Sequence, residues 1–130
     1  KNNNKEGCSS YQRLKEENIE FEKYQKLANQ GNIEAQDKIG SMYYLGDGVQ
    51  KDYKKANYWY EKAANQGYAE AQYSLGDNYF RGWSIQKDLK KAIYWYEKAA
   101  NQGVIDAQEQ LGNIYYYGWG GIQKDLKKAI

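Results

Sequence analysis

The ten residues Tyr58-Trp59-Tyr60-Glu61-Lys62-Ala63-Ala64-Asn65-Gln66-Gly67 return without change as Tyr94 to Gly103, displaced by 36 positions. A copy at a fixed period of this length restricts the fold more than any composition does. It marks a chain built from one supersecondary unit used several times, each unit stacking on the next because it cannot bury its own apolar face alone. In phase with this copy, the chain reads as a leader over residues 1–9, a capping helix over 10–31, and repeats over 32–67, 68–103 and 104–130. The pattern stops at Ile130 inside the third unit and the chain does not begin with Met, so it reads as a piece of a longer protein or as a processed product.

Each unit opens with a helix. Ala35, Ile39, Gly40 and Tyr43 return as Ala71, Leu75, Gly76 and Tyr79, and again as Ala107, Leu111, Gly112 and Tyr115. The i, i+4, i+8 spacing of Ala, Leu or Ile, and Tyr places them on one stripe. A glycine beside that stripe costs about 1 kcal/mol of helix propensity, so its recurrence predicts close approach of a second helix. Gly46, Gly82 and Gly118 are expected to end these helices. Asp52, Asp88 and Asp125 then stand as N-caps of a second helix, in which Ala56, Trp59, Tyr60, Ala63 and Ala64, and likewise Ala92, Trp95, Tyr96, Ala99 and Ala100, form a wide apolar arc. An arc of that width calls for contact on two sides, and it puts Trp59 and Trp95 in the core. Gly67 and Gly103 supply the turn into the next unit.

Upstream, Lys1 to Gly7 is polar, Asn-rich and expected to be disordered. Ser9 and Gln12 make a capping box for a helix running to about Gln30. Lys26 to Gly31 matches Lys62 to Gly67 in phase, but Lys23 replaces Trp59 and Trp95, and Glu20 replaces Ala56 and Ala92. Polar residues on one face suit a terminal unit with no neighbour there. The fold class is therefore all-α, stacked helical hairpins.

The run Ala-x3-Leu-Gly-x2-Tyr-x2-Gly, a glycine-containing loop, and Asp-x2-Lys-Ala-x2-Trp-Tyr-x-Lys-Ala-Ala-x-Gln-Gly resembles the Sel-1-like repeat, a relative of the tetratricopeptide repeat. The period of 36 fits the former better than the 34-residue tetratricopeptide unit. The resemblance covers residues 19 to 130 and departs from the pattern in the loops: Ser84 replaces a second glycine, and Gly120-Gly121 adds a residue. It implies a right-handed α-solenoid, scaffolding or adaptor work rather than catalysis, and a concave surface lined by the first helices.

Composition narrows the chemistry. The chain has no histidine, the commonest general base and metal ligand, and no motif cradles a phosphate or a calcium ion. Asp52, Asp88 and Asp125 recur one per unit at a helix start, so capping accounts for them better than catalysis does. Cys8, the only cysteine, reads as a free thiol in the leader and no apolar run precedes it. No enzyme activity, metal or cofactor is expected. Lys+Arg 19 against Asp+Glu 17 is too balanced to call for nucleic acid, and no segment is apolar enough to insert in a bilayer. The lysines at 51, 54 and 55, at 87, 90 and 91, and at 124, 127 and 128 read as a solvated stripe.

A position whose type returns in every unit serves stacking, whereas an exposed position that varies is free for recognition. The face opposite the stripe carries Glu34, Asp37, Ser41, Tyr44 and Leu45, then Glu70, Tyr73, Asp77, Phe80 and Arg81, then Asp106, Glu109, Asn113, Tyr116 and Tyr117. These form a candidate groove, acidic with aromatic rungs, for a protein or peptide partner. Tyr44, Phe80 and Tyr116 either clamp a ligand or pack on the neighbouring first helix. Trp83 and Trp119, in the loops, either fold back over the hairpin or stand out as contact points. The leading reading is a non-catalytic interaction module. The alternatives are a protein that binds or hydrolyses cell-wall-type ligands, and a spacer that self-associates through its unfinished last hairpin.

Overall fold

Every regular element among the described residues is a helix. The computed structural model describes residues 19–83, 86–118 and 125–129. The leader, Cys8, the Ser9 capping box, Ser84, Trp119 and Gly120-Gly121 lie outside them. Residues 19–29 are helical (α1), followed by α2 (Ile33–Leu45), α3 (Tyr53–Asn65), α4 (Ala69–Arg81), α5 (Leu89–Asn101), α6 (Ile105–Tyr117) and α7 (Leu126–Ala129). The chain divides into two packed units with the boundary between Trp59 and Tyr60, inside α3.

The expected punctuation is present. Gly82 takes φ 76° and its N–H bonds Asn78 O, closing α4, and Gly46 and Gly118 close α2 and α6 in the same way. The left-handed turn brings the chain back so that the Asp88 N–H donates to Tyr79 O at 3.0 Å. The Asp88 side chain in turn accepts from the Lys91 N–H at 3.1 Å, capping α5. Asp52 repeats both bonds, to Tyr43 O and from Lys55 N–H. Asp125 accepts from the Lys127 and Lys128 amides. No acidic residue stands in the first turn of α3 or α5, so the cap aspartate is the one anion placed there to meet the helix dipole.

In the first unit the stripe residues Ala35, Ile39 and Tyr43 are buried, together with Ala28, Met42 and Ala56. Phe21 meets Tyr43 edge-on at 5.4 Å. In the second unit α4 packs on α5, α5 on α6, and α6 on α7, around Leu75, Ala92, Tyr96, Ala99, Ala107 and Ile114. The close approach expected at the stripe glycine is there: a Cβ on Gly76 would sit 2.8 Å from Tyr96 Cδ1 and 3.3 Å from Ala92 O, and one on Gly112 would sit 2.9 Å from Ala129 O.

The tryptophans differ from expectation. Trp59 and Trp95 are half-buried, while their neighbours Tyr60 and Tyr96 are buried, at 4% and 0% exposure. The buried positions of α5 are Ala92, Ile93, Tyr96 and Ala99, so the arc is centred on the tyrosine and the larger indole lies at its margin. There Trp95 meets the exposed Tyr94 edge-on at 5.0 Å.

Candidate functional site

The second unit holds the residues that the sequence places on the first-helix faces of α4 and α6. Tyr73 is half-buried with its ring 5.8 Å from that of Tyr96. Burial holds the Tyr73 phenol above its ordinary pKa, with the charges of Asp77 and Asp106 acting in the same direction and a hydrogen bond with Gln110 and the charge of Arg81 opposing them. Tyr73 thus feels charged groups on both α4 and α6.

Asp77 is half-buried rather than fully open, and its carboxylate accepts a hydrogen bond from the Tyr96 hydroxyl. Tyr96 is raised far above the ordinary phenol range, first by burial, then by that bond and the Asp77 charge. Such a phenol is a hydrogen-bond donor at neutral pH, not a base or nucleophile. The half-buried Phe80 ring lies 6.4 Å from Tyr96 on the same α4–α5 contact. Arg81 is exposed, with its guanidinium 5.2 Å over the half-buried Trp83 ring.

The corresponding positions lie on α6. Glu109, Asn113 and Tyr116 are exposed and line a cleft of about 460 Å³ with Ile105, Gln108, Gly112 and Ala129. Tyr116 and Tyr117 are 49% and 60% exposed and meet edge-on at 5.0 Å. The positions that the sequence assigns to the candidate faces of α4 and α6 carry four carboxylates, Glu70, Asp77, Asp106 and Glu109, and a single guanidinium, Arg81. These positions are therefore acidic on a chain whose formal charge is +2.

The first-unit candidates belong to α2. Asp37, Ser41 and Tyr44 are half-buried, Glu34 and Leu45 exposed, and the Tyr44 ring lies 5.3 Å from Tyr53 at the start of α3. Tyr44, Phe80 and Tyr116 thus occupy three different settings. Trp119 lies outside the described residues.

Two repeated features escaped the sequence reading. Gln36, Gln72 and Gln108 each donate Nε2–H to a carbonyl at the end of the preceding helix, Ala28, Ala64 and Ala100, at 3.2–3.3 Å. In the second unit Gln102 adds bonds to Gly67 O and Gln72 Oε1, both at 2.9 Å. Within the lysine stripe, Lys55, Lys91 and Lys128 each hold an ammonium over the stripe tyrosine of the same hairpin, Tyr43, Tyr79 and Tyr115, at 5.5, 5.4 and 5.0 Å. Their recurrence, once per unit, was the signal. The stripe therefore includes a per-hairpin clasp as well as solvated charge.

Among the described residues no group of three or more His, Cys, Asp or Glu is placed to hold a metal ion. No helix among them is long and apolar enough to cross a membrane.

The Sel1 repeat family model matches residues 33–68, 69–104 and 105–130. No curated protein matches the chain. Among solved structures, the chain is similar to c5321, a protective antigen present in uropathogenic Escherichia coli strains displaying an SLR fold. The two are 34% identical with a TM-score of 0.83, over 87% of this chain and 24% of that one. It is also similar to a Sel1 repeat protein from Oxalobacter formigenes, at 41% identity and a TM-score of 0.77, over 84% of this chain and 44% of that one. The chain thus spans about a quarter and under half of the lengths of these two. Three consecutive units at one period, closed by the same caps and glycines, place this chain in the Sel1 repeat family, whose members are in general non-catalytic modules for protein–protein interaction.

Proposed function

We propose that this chain is a non-catalytic interaction module that receives a protein or peptide segment on the first-helix faces, with the α4–α6 face as its principal contact. The observation that carries this reading is the contrast between positions that repeat and positions that do not. Ala71 and Ala107, Leu75 and Leu111, and Gly76 and Gly112 repeat on the stripe. Beside that stripe Tyr73 becomes Glu109, Asp77 becomes Asn113 and the exposed Arg81 becomes the exposed Tyr117. Stacking demands the same residues in each unit, whereas a partner that meets both helices at once needs different ones. Exposed tyrosine and arginine are also the side chains that concentrate binding energy at interfaces.

The direct test is affinity capture of partners with the wild-type chain and with Arg81→Glu/Glu109→Lys/Tyr117→Ala, three exposed positions whose replacement spares the core. Loss of the captured proteins, with helix content unchanged by circular dichroism, supports the assignment. Capture undiminished by the triple substitution removes this face from the binding surface. No observation favours hydrolysis of cell-wall-type ligands or a spacer role.

A further inference from the structure

The loop between α2 and α3 is tied at its two ends and left unlinked in between. The Asp47 N–H donates to Met42 O and the Asp52 N–H to Tyr43 O, both at 2.9 Å, which fixes each end to the last turn of α2. Between them, the amides of residues 48–51 donate to no backbone carbonyl among the described residues. Asp47 is exposed, and its carboxylate has no hydrogen-bond or ion-pair partner among those residues. The residue that follows it is Gly48, at φ 73°, with no Cβ to shield its nitrogen or to restrict rotation about the bond before it. No other aspartate precedes a glycine, and no asparagine does. Asp37 and Asp77 lie inside α2 and α4, where the next amide belongs to the helix ladder. Asp52, Asp88 and Asp125 hold their carboxylates on helix amides as caps. In the later hairpins the place of Asp47 is taken by Trp83 and Trp119.

We propose that the Asp47–Gly48 bond is a site of spontaneous covalent modification, at which the Asp47 side chain closes onto the Gly48 amide and reopens as isoaspartate. The Gly48 nitrogen attacks Cγ of the protonated Asp47 carboxyl. A C–N bond forms, and the carboxyl hydroxyl leaves with the amide proton as water, closing a five-membered succinimide. Water then adds to one of the two ring carbonyls. Addition at Cγ breaks the new bond and restores aspartate. Addition at the Asp47 main-chain carbonyl breaks the original peptide bond, so that the chain now runs through Cβ and Cγ. One water is lost and one regained, and neither an oxidant nor a cofactor is consumed. Ring closure requires the main chain to turn at Asp47 until the nitrogen faces Cγ. The unbonded amides of residues 48–51 permit that turn, because local opening is easiest where few backbone hydrogen bonds have to break. The product lengthens the main chain by one carbon between the two pinned amides. It also leaves a free α-carboxyl, the group that an isoaspartate-specific carboxyl methyltransferase takes as substrate.

The test incubates the whole chain at neutral pH and body temperature and follows the tryptic peptide of residues 39–51, in which Asp47 is the only carboxylate side chain. A second form of unchanged mass is expected to accumulate in this peptide. That form should accept a methyl group from S-adenosylmethionine through the isoaspartate-specific methyltransferase, while the peptides that carry Asp52, Asp77 and Asp88 stay unlabelled. Its rate of appearance is expected to lie within several-fold of the rate in a free synthetic peptide of the same sequence, since the fold leaves this bond unrestrained. Asp47→Glu keeps the charge and the loop backbone but would need a six-membered ring, and is expected to remove the second form over the same period. Conversion far slower in the folded chain than in the free peptide overturns the proposal, because it would show the fold protecting the bond. Label appearing first at another aspartate, or persisting in Asp47→Glu, overturns it as well.

Discussion

The Tyr96 hydroxyl donates a hydrogen bond to the Asp77 carboxylate, while the ring of the same tyrosine fills the space over Gly76. One side chain thus closes the α4–α5 hairpin in two ways, through an apolar contact at the glycine and through a charge-assisted hydrogen bond one residue further along α4. It also supports both Tyr73 and Phe80 from behind, so the stability of the hairpin and the shape of the α4–α6 face depend on the same residue.

Tyr96→Ala is expected to cost about 3–5 kcal/mol, the usual toll of removing a buried aromatic. Tyr96→Phe removes only the bond to the carboxylate and is expected to cost about 1.5–3 kcal/mol. Trp95→Ala, at a half-buried position, is expected to cost clearly less than Tyr96→Ala. Urea denaturation of the three variants measures the order, and a costlier Trp95→Ala would show that the indole, not the tyrosine, anchors α5.

Gly76→Ala adds a methyl 2.8 Å from Tyr96 Cδ1 and 3.3 Å from Ala92 O. The ring is enclosed and the second neighbour is backbone, so overpacking of about 1–3 kcal/mol outweighs the roughly 1 kcal/mol gained in helix propensity. A lowered melting temperature is the expected outcome. A raised one would mean that the helices separate to admit the methyl without loss.

Alkaline pH is expected to weaken the fold through the phenols. Tyr73, Tyr96 and Tyr115 are all held above the ordinary tyrosine value of 10.0, each first by burial. A group whose folded pKa is raised contributes its full stability below the unfolded pKa. That contribution is lost as pH climbs from there towards the folded value, because the unfolded chain releases the proton and the folded one does not. Stability should therefore fall above about pH 10. Tyr96→Phe should flatten that fall, read from denaturation midpoints at increasing pH. Ultraviolet titration of the native chain should show these phenolates forming above the ordinary tyrosine value.

Two adjacent lysines on α5 offer a paired comparison. Lys91 holds its ammonium over the Tyr79 ring, and Lys90, also exposed, precedes it in the first turn. Lys91→Met is expected to cost about 0.5–1 kcal/mol, the size of an exposed cation–π contact. Lys90→Met is expected to be neutral or slightly stabilising, since a positive charge near a helix N-terminus opposes the dipole. Equal effects of the two substitutions in thermal melts would deny the clasp.

Much of this molecule was legible as sequence because its signals are local. The period marked a repeating chain, the cap aspartates Asp52, Asp88 and Asp125 located the second helices, and Gly46, Gly82 and Gly118 located the ends of the first ones. Each signal acts through the backbone within a few residues of itself, so spacing alone carries it. The stripe of Ala, Leu and Tyr was legible for a related reason, since helical phase fixes which residues share a side.

What the sequence could not decide was how far each side chain is covered, because phase sets a direction on one helix and coverage is set by the neighbour. Trp95 and Tyr96 are adjacent in the chain, yet only the tyrosine meets Gly76. Tyr73 and Asp77 looked like free recognition residues until Tyr96, on the next helix, was placed against both. The amide contacts of Gln72 with Ala64 O and Gln102 depend in the same way on distances between elements. The sequence by itself determined the helices and their order through short-range caps, glycines and periodicity. Only the tertiary structure, through packing across helix contacts, decided which of the variable residues of α4 and α6 are covered by a neighbouring helix and which stay exposed.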